Sequence, residues 1–140
     1  MVKYRLKHIL AKQDIKYLIV HCSDTEQNWV TSDIHQLHLK FGWDGIGYHK
    51  IIETCGKIVN GRPEYWVGAH VKGYNNKSLG VCLIGKSEFN LFQMNSLKKV
   101  LIEWKSLYPK VQILGHRDVV KTHKTCPNFN VNEWCKTNKL

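Results

Sequence analysis

Between Gly115 and Phe129 the sequence reads GHRDVVKTHKTCPNF, which puts His116, Lys121, His123, Lys124 and Cys126 into one short polar segment. Imidazole and thiolate are ligands that zinc takes readily. A further imidazole lies at the end of YLIVHCS (Tyr17–Ser23), whose apolar, β-branched run stops at His21. VQILGH stops in the same way at His116. Both runs read as buried strands. In open α/β sheets, ligand sites gather at the carboxyl ends of strands. Two imidazoles delivered there by neighbouring strands could share one metal, with Cys126 from the following loop as a third ligand. Two His and one Cys, with water in the fourth place, is a known catalytic zinc arrangement. Spacing alone leaves the alternative open: a satisfied histidine at each strand end and an inert loop cysteine.

The remaining elements must carry these groups. TSDIHQLHLKFG places Ile34, Leu37, His38 and Phe41 at helical spacing, opened by Thr31 or Ser32 and stopped by Gly42. GYHKIIE and GKIVNGR read as a hairpin turning at Cys55-Gly56. SLGVCLIG is another apolar strand, preceded by the Gly/Asn-rich loop GAHVKGYNNK. The clearest helix is Leu91–Leu107, with Leu97, Val100, Leu101, Trp104 and Leu107 on one stripe. Asn90 and Gln93 form a capping-box pattern before it, and Pro109 ends it. A last short helix in NVNEWCKTNK has Asn130 as cap and Glu133 at its third position. The alternation predicts an α/β (α+β-like) fold: a central mixed β-sheet flanked by helices, in a single domain over residues 1–140.

Charge narrows the partners. There are 21 Lys+Arg against 11 Asp+Glu, a formal net charge of +10, which draws polyanions. Nucleic acid, an acidic membrane surface and an anionic cell wall all qualify. The lysines are scattered, and neither an RNP-type aromatic motif nor paired zinc-finger spacing is present, so no specific nucleic-acid partner is expected. The five cysteines are odd in number and lack CxxC spacing. That argues against a disulfide framework and for a reducing compartment. MVKYRLKHILAKQDIK has no continuous apolar core, so no signal peptide is read, and no window is long enough for a membrane span.

Four segments carry a resemblance: YLIVHCSDT, GWDGIGYHKIIE, GAHVKGYNNKSLGVCLIG and GHRDV with KTCPNF. In this order they resemble zinc-dependent N-acetylmuramoyl-L-alanine amidases, a fold shared by peptidoglycan recognition proteins. The resemblance runs from about Tyr17 to Trp134. It implies a cofactor of one Zn²⁺ per chain, held by His21, His116 and Cys126. It implies catalytic roles for Tyr48, in GYH, and Lys124, two residues before the cysteine, with His70 as a substrate-binding groove histidine. The segment between His116 and Cys126 is longer than in the family member it most resembles, which keeps Lys121 as a second candidate amine. The expected function is an endolysin that cuts the lactyl–L-Ala amide bond of peptidoglycan. It would wait in the host cytoplasm and reach the wall after membrane permeabilisation. The alternatives are a peptidoglycan-binding module that does not cut, and inhibition of a phage RNA polymerase as a separate or second role. A monomer is expected.

Other candidates have plainer readings. His49 is expected to be structural. His35 and His38 are expected to be solvated or packing, and His123 a solvated loop residue. Cys22, Cys55, Cys82 and Cys135 read as inert small residues, Cys22 facing away from His21 by strand alternation. Trp43 and Trp66 either line a groove or pack beneath it. Asp118 either orients a ligand histidine or makes a surface salt bridge.

Overall fold

Alternation along the first strand sets the two faces of the molecule. In β1 (Tyr17–Cys22) Leu18 and Val20 enter the main core, while Ile19 and His21 point to the other side. The computed structural model describes residues 8–119 and 125–140. In chain order there follow α1 (Thr31–Lys40), β2 (Lys50–Ile52), β3 (Ile58–Asn60), β4 (Ser78–Leu83), α2 (Leu91–Leu107), β5 (Gln112–Gly115), α3 (His116–Val119) and α4 (Val131–Thr137).

The five strands form one mixed sheet in the order β3-β2-β4-β1-β5. β1 lies parallel to both β4 and β5, β2 lies parallel to β4, and β3 alone runs antiparallel, as the return arm of the hairpin. β4 is buried along its whole length. One face of the sheet packs Leu18, Val20, Leu79, Val81 and Leu83 against Leu97, Leu101 and Trp104 of α2 and Val131 and Cys135 of α4. The opposite face carries a smaller cluster of Ile34, Ile46, Ile51 and Ile84 under α1, with Tyr48 against it. This is the mixed sheet with flanking helices that the sequence predicts.

Local chemistry fixes the helix starts. Asn90 accepts from the N–H of Gln93 at 2.9 Å, and Gln93 returns a bond to the N–H of Asn90 at 3.3 Å. Asn130 caps α4 by accepting from the N–H of Glu133 at 3.0 Å. α1 begins at Thr31, whose N–H and hydroxyl both donate to Glu53 at 2.8 Å.

Two boundaries differ from the sequence-based expectation. The hairpin ladder is short, so Tyr48 and His49 precede β2 rather than lie within it. β5 ends at Gly115, and His116 opens α3. The Asp118 carboxylate accepts from the N–H of Gly115 at 2.8 Å, which turns the chain out of the sheet there. No helix among the described residues is long and apolar enough to cross a membrane.

Candidate metal centre

The sheet register brings the two strand-end histidines together. The β1–β5 ladder pairs Ile19 with Leu114 and Val20 with Gly115. One step further along both parallel strands, His21 stands level with His116. Their ring centroids lie 4.7 Å apart. His21 is 1% exposed and His116 partly so. Burial first, then the neighbouring His70 and His116, pulls the His21 pKa well below the ordinary histidine range. It is therefore neutral and keeps a lone pair for a metal.

Cys126 arrives from the loop after α3. Its carbonyl accepts from the N–H of Arg117 at 2.9 Å, and its Sγ accepts from the N–H of Cys22 at 3.1 Å. Ligand atoms of His21, His116 and Cys126 all lie within 4.8 Å of one another. Zinc bonds of about 2.0–2.3 Å span ligand atoms roughly 3–4 Å apart, so small side-chain movements would close the shell. The donor set, two nitrogens and one sulfur, suits zinc rather than calcium or magnesium. The side-chain hydrogen bond with Cys22, then burial, holds the Cys126 thiol above the ordinary range, while the main-chain N–H of Cys22 acts the other way. A bound cation is what would draw off that proton.

Tyr48 stands on the same side, with its ring 5.2 Å from that of His21. Burial first, then the thiols of Cys82 and Cys126, pushes its phenol well above the ordinary range. At neutral pH it is a hydroxyl that donates. The loop that presents it is pinned by α1: Ile46 N–H donates to His35 Nδ1 at 3.0 Å, and Gly47 N–H to His38 Nδ1 at 2.9 Å. His38 is buried, with the rings of Trp43 and Tyr48 at 4.6 and 5.6 Å. Both α1 histidines thus have a definite packing role. Trp43 packs on the rings of His38 and Phe41 at 4.6 and 5.3 Å, while the Trp66 carbonyl bonds His49 Nε2 at 2.8 Å. His49 also accepts from Gly80 N–H at 3.1 Å and is buried, a structural pin.

His70 lies beside His21, with a nitrogen of each ring 2.8 Å apart. Lys124, Lys121 and His123 lie outside the described residues. Cys22, expected to face away, touches the site after all. Its N–H reaches Cys126, and Asn128 Nδ2 approaches its sulfur at 3.7 Å. Sequence alternation could not reveal this, because the 125–130 loop wraps around the end of the strand. Nothing in the sequence marks Ser78 as a neighbour of His70 either, since a serine opening a strand is common.

The profile of the family described as N-acetylmuramoyl-L-alanine amidase matches residues 11–129. The endolysin of Enterobacteria phage K11 is 40% identical over 139 residues, covering 92% of this chain and 91% of its own. The endolysin of Escherichia phage T7 is 38% identical over 133 residues, covering 88% and 87%. Among solved structures, the N-acetylmuramoyl-L-alanine amidase LysC from Clostridium intestinale URNW superposes with a TM-score of 0.83 at 29% identity, over 99% of this chain and 95% of its own. Bumblebee PGRP-SA gives 0.80 at 26% identity, over 92% and 84%.

Proposed function

The chain belongs to the N-acetylmuramoyl-L-alanine amidase family, and we propose from that premise a zinc-dependent endolysin in which His21, His116 and Cys126 hold one Zn²⁺. It is a peptidoglycan amidase of the phage endolysin type. The bond cut is the amide between the muramic lactyl group and L-alanine. Water adds to the carbonyl carbon, the C–N bond breaks, and the amine of L-alanine leaves with a proton.

The observation that carries the metal assignment is the convergence of two imidazoles and a thiol where β1 and β5 end. A zinc ion there would supply Lewis acidity towards the amide carbonyl and would make water more acidic. The chain's own groups do the rest. Tyr48 donates its hydroxyl to orient the water or the carbonyl oxygen. Lys124 is assigned, on its offset from Cys126, to the negative charge that develops on that oxygen. The net charge of +10 concentrates the chain on an anionic wall.

The test is digestion of purified peptidoglycan with and without chelator, reading the new chain ends. Free L-alanine amino termini that vanish with chelator and return with Zn²⁺ are expected. Zinc bound at one per chain without cleavage would overturn the catalytic assignment in favour of wall binding alone.

A further inference from the structure

Three hydrogen bonds run in series away from His21. His21 Nε2 and His70 Nδ1 are 2.8 Å apart. His70 Nε2 and Ser78 Oγ are 3.3 Å apart. Ser78 Oγ donates to the carbonyl of Tyr74 at 2.7 Å. The last partner fixes the direction of the whole series, because a carbonyl oxygen only accepts. Ser78 spends its single proton on Tyr74, so towards His70 it accepts. His70 then carries its hydrogen on Nε2 and leaves Nδ1 bare. A bare Nδ1 accepts, so His21 must carry its hydrogen on Nε2. The lone pair of His21 is thereby left on Nδ1.

We infer that His70 is a positioning residue, which with Ser78 and the Tyr74 carbonyl selects the tautomer and ring orientation in which His21 offers Nδ1 to the metal. The inference rests on the metal assignment proposed above. It gives His70 a different part from that of a substrate contact. Both its ring nitrogens are engaged inside the protein, and none is left for a ligand in the groove.

The surroundings of His70 are built to hold the ring. Ser78, Gly80 and Cys82 alternate onto one face of β4, and in the β1–β4 register they stand beside Tyr17, Ile19 and His21. The imidazole lies along that face, with Ser78 at one end and His21 at the other. It fits only because position 80 has no side chain: a Cβ there would fall 2.6 Å from His70 Nδ1. On the loop side a Cβ at Gly68 would fall 2.7 Å from His70 Cδ2. Asn75 fixes the main chain by accepting from the N–H groups of His70 and Val71 at 2.9 and 2.8 Å. The ring meets that of His21 edge-on, at 86°. Outer partners of metal-bound histidines commonly act in this way, donating nothing to the metal and fixing the ligand that does.

The experiment is a competition for Zn²⁺ between the full chain and a chromophoric chelator, with Co²⁺ substitution to read coordination geometry from the visible spectrum. His70→Ala is expected to bind zinc about 10–100-fold more weakly than wild type and to alter the Co²⁺ spectrum. His70→Asn, whose amide oxygen takes the place of Nδ1, should recover most of that affinity. Ser78→Ala, which frees the His70 tautomer but keeps its ring, should fall between wild type and His70→Ala. Wild-type affinity and an unchanged spectrum in His70→Ala would overturn the inference. So would an Asn variant as weak as the Ala variant, since ring volume alone would then matter. If His70→Ala does not fold, the Asn and Ser78→Ala variants decide the matter by the same comparison. Failure of the wild-type chain to bind zinc at all is a separate result, which removes the metal assignment and this inference with it.

Discussion

The main-chain N–H of Cys22 donates to the sulfur of Cys126 at 3.1 Å, across 104 residues of sequence. The bond ties the end of β1 to the loop after α3, and a main-chain N–H donor to sulfur favours the thiolate.

Replacing Cys126 removes a ligand atom together with the acceptor of that bond. Cys126→Ala is expected to lose zinc and hydrolysis together, with the sheet core still folded by circular dichroism and only the carboxyl-terminal segment loosened. Metal content after gel filtration, set beside turnover on peptidoglycan, checks it. A variant that is active and still loaded with metal would remove Cys126 from the ligand set.

Tyr48→Phe isolates one hydroxyl. Zinc content should stay at the wild-type level, while kcat falls on the order of a hundred-fold, as when one donor to a developing oxyanion is lost. The phenol is held well above its ordinary range by burial and then by nearby thiols, so it acts protonated. Unchanged turnover in the Phe variant would return Tyr48 to a packing role.

The catalytic amine can be assigned by a pair of variants. Lys124→Ala should keep zinc and lose about a hundred- to a thousand-fold in rate. Lys121→Ala should lose little. The reverse order, measured on the same substrate, would move the assignment by three positions along the loop.

Stability should fall on the acid side because of two histidines outside the metal cluster. Burial first, then Arg62, lowers the His38 pKa to about 4. Burial, with Arg62 as a lesser cause, does the same for His49, also to about 4. Each also uses Nδ1 to accept a main-chain N–H, which an imidazolium cannot do. The folded pKa of each lies below the unfolded value near 6.5, so between those limits the unfolded chain binds more protons. Stability is then constant above about pH 6.5 and falls towards pH 4, by up to roughly 1.4 kcal/mol per pH unit for each histidine. Denaturant unfolding of the metal-free chain at pH 7.5, 6 and 5 would test this. A free energy independent of pH over that range would contradict it.

The elements with an unbroken apolar run or a clear cap were legible in the sequence. β1 and β4 announce themselves as unbroken apolar runs, and α2 by its Asn90–Gln93 capping box. His21 and His116 were recognisable as strand ends, but their adjacency depends on the β1–β5 register, which local pattern does not encode. Local pattern leaves His38 solvated or packing, although it falls on the apolar stripe with Ile34. Its burial comes from Trp43 and Tyr48, which reach it only after the loop folds back over α1. The contact of Cys22 with Cys126 was hidden for another reason. Alternation predicts where a side chain points, and here a main-chain N–H makes the bond.

β5 has a single strand partner, and as an edge strand of four residues it is the sort of element that frays first. His116 lies at its end and Cys126 in the loop beyond, while His21 sits in the interior of the sheet. An ion gripped by all three would work as a clasp, fastening the last quarter of the molecule to its middle. Stripping the ion would then do more than silence the chemistry. It would loosen the carboxyl-terminal segment from the sheet, and a protease added to the chelated protein would find its first cuts there.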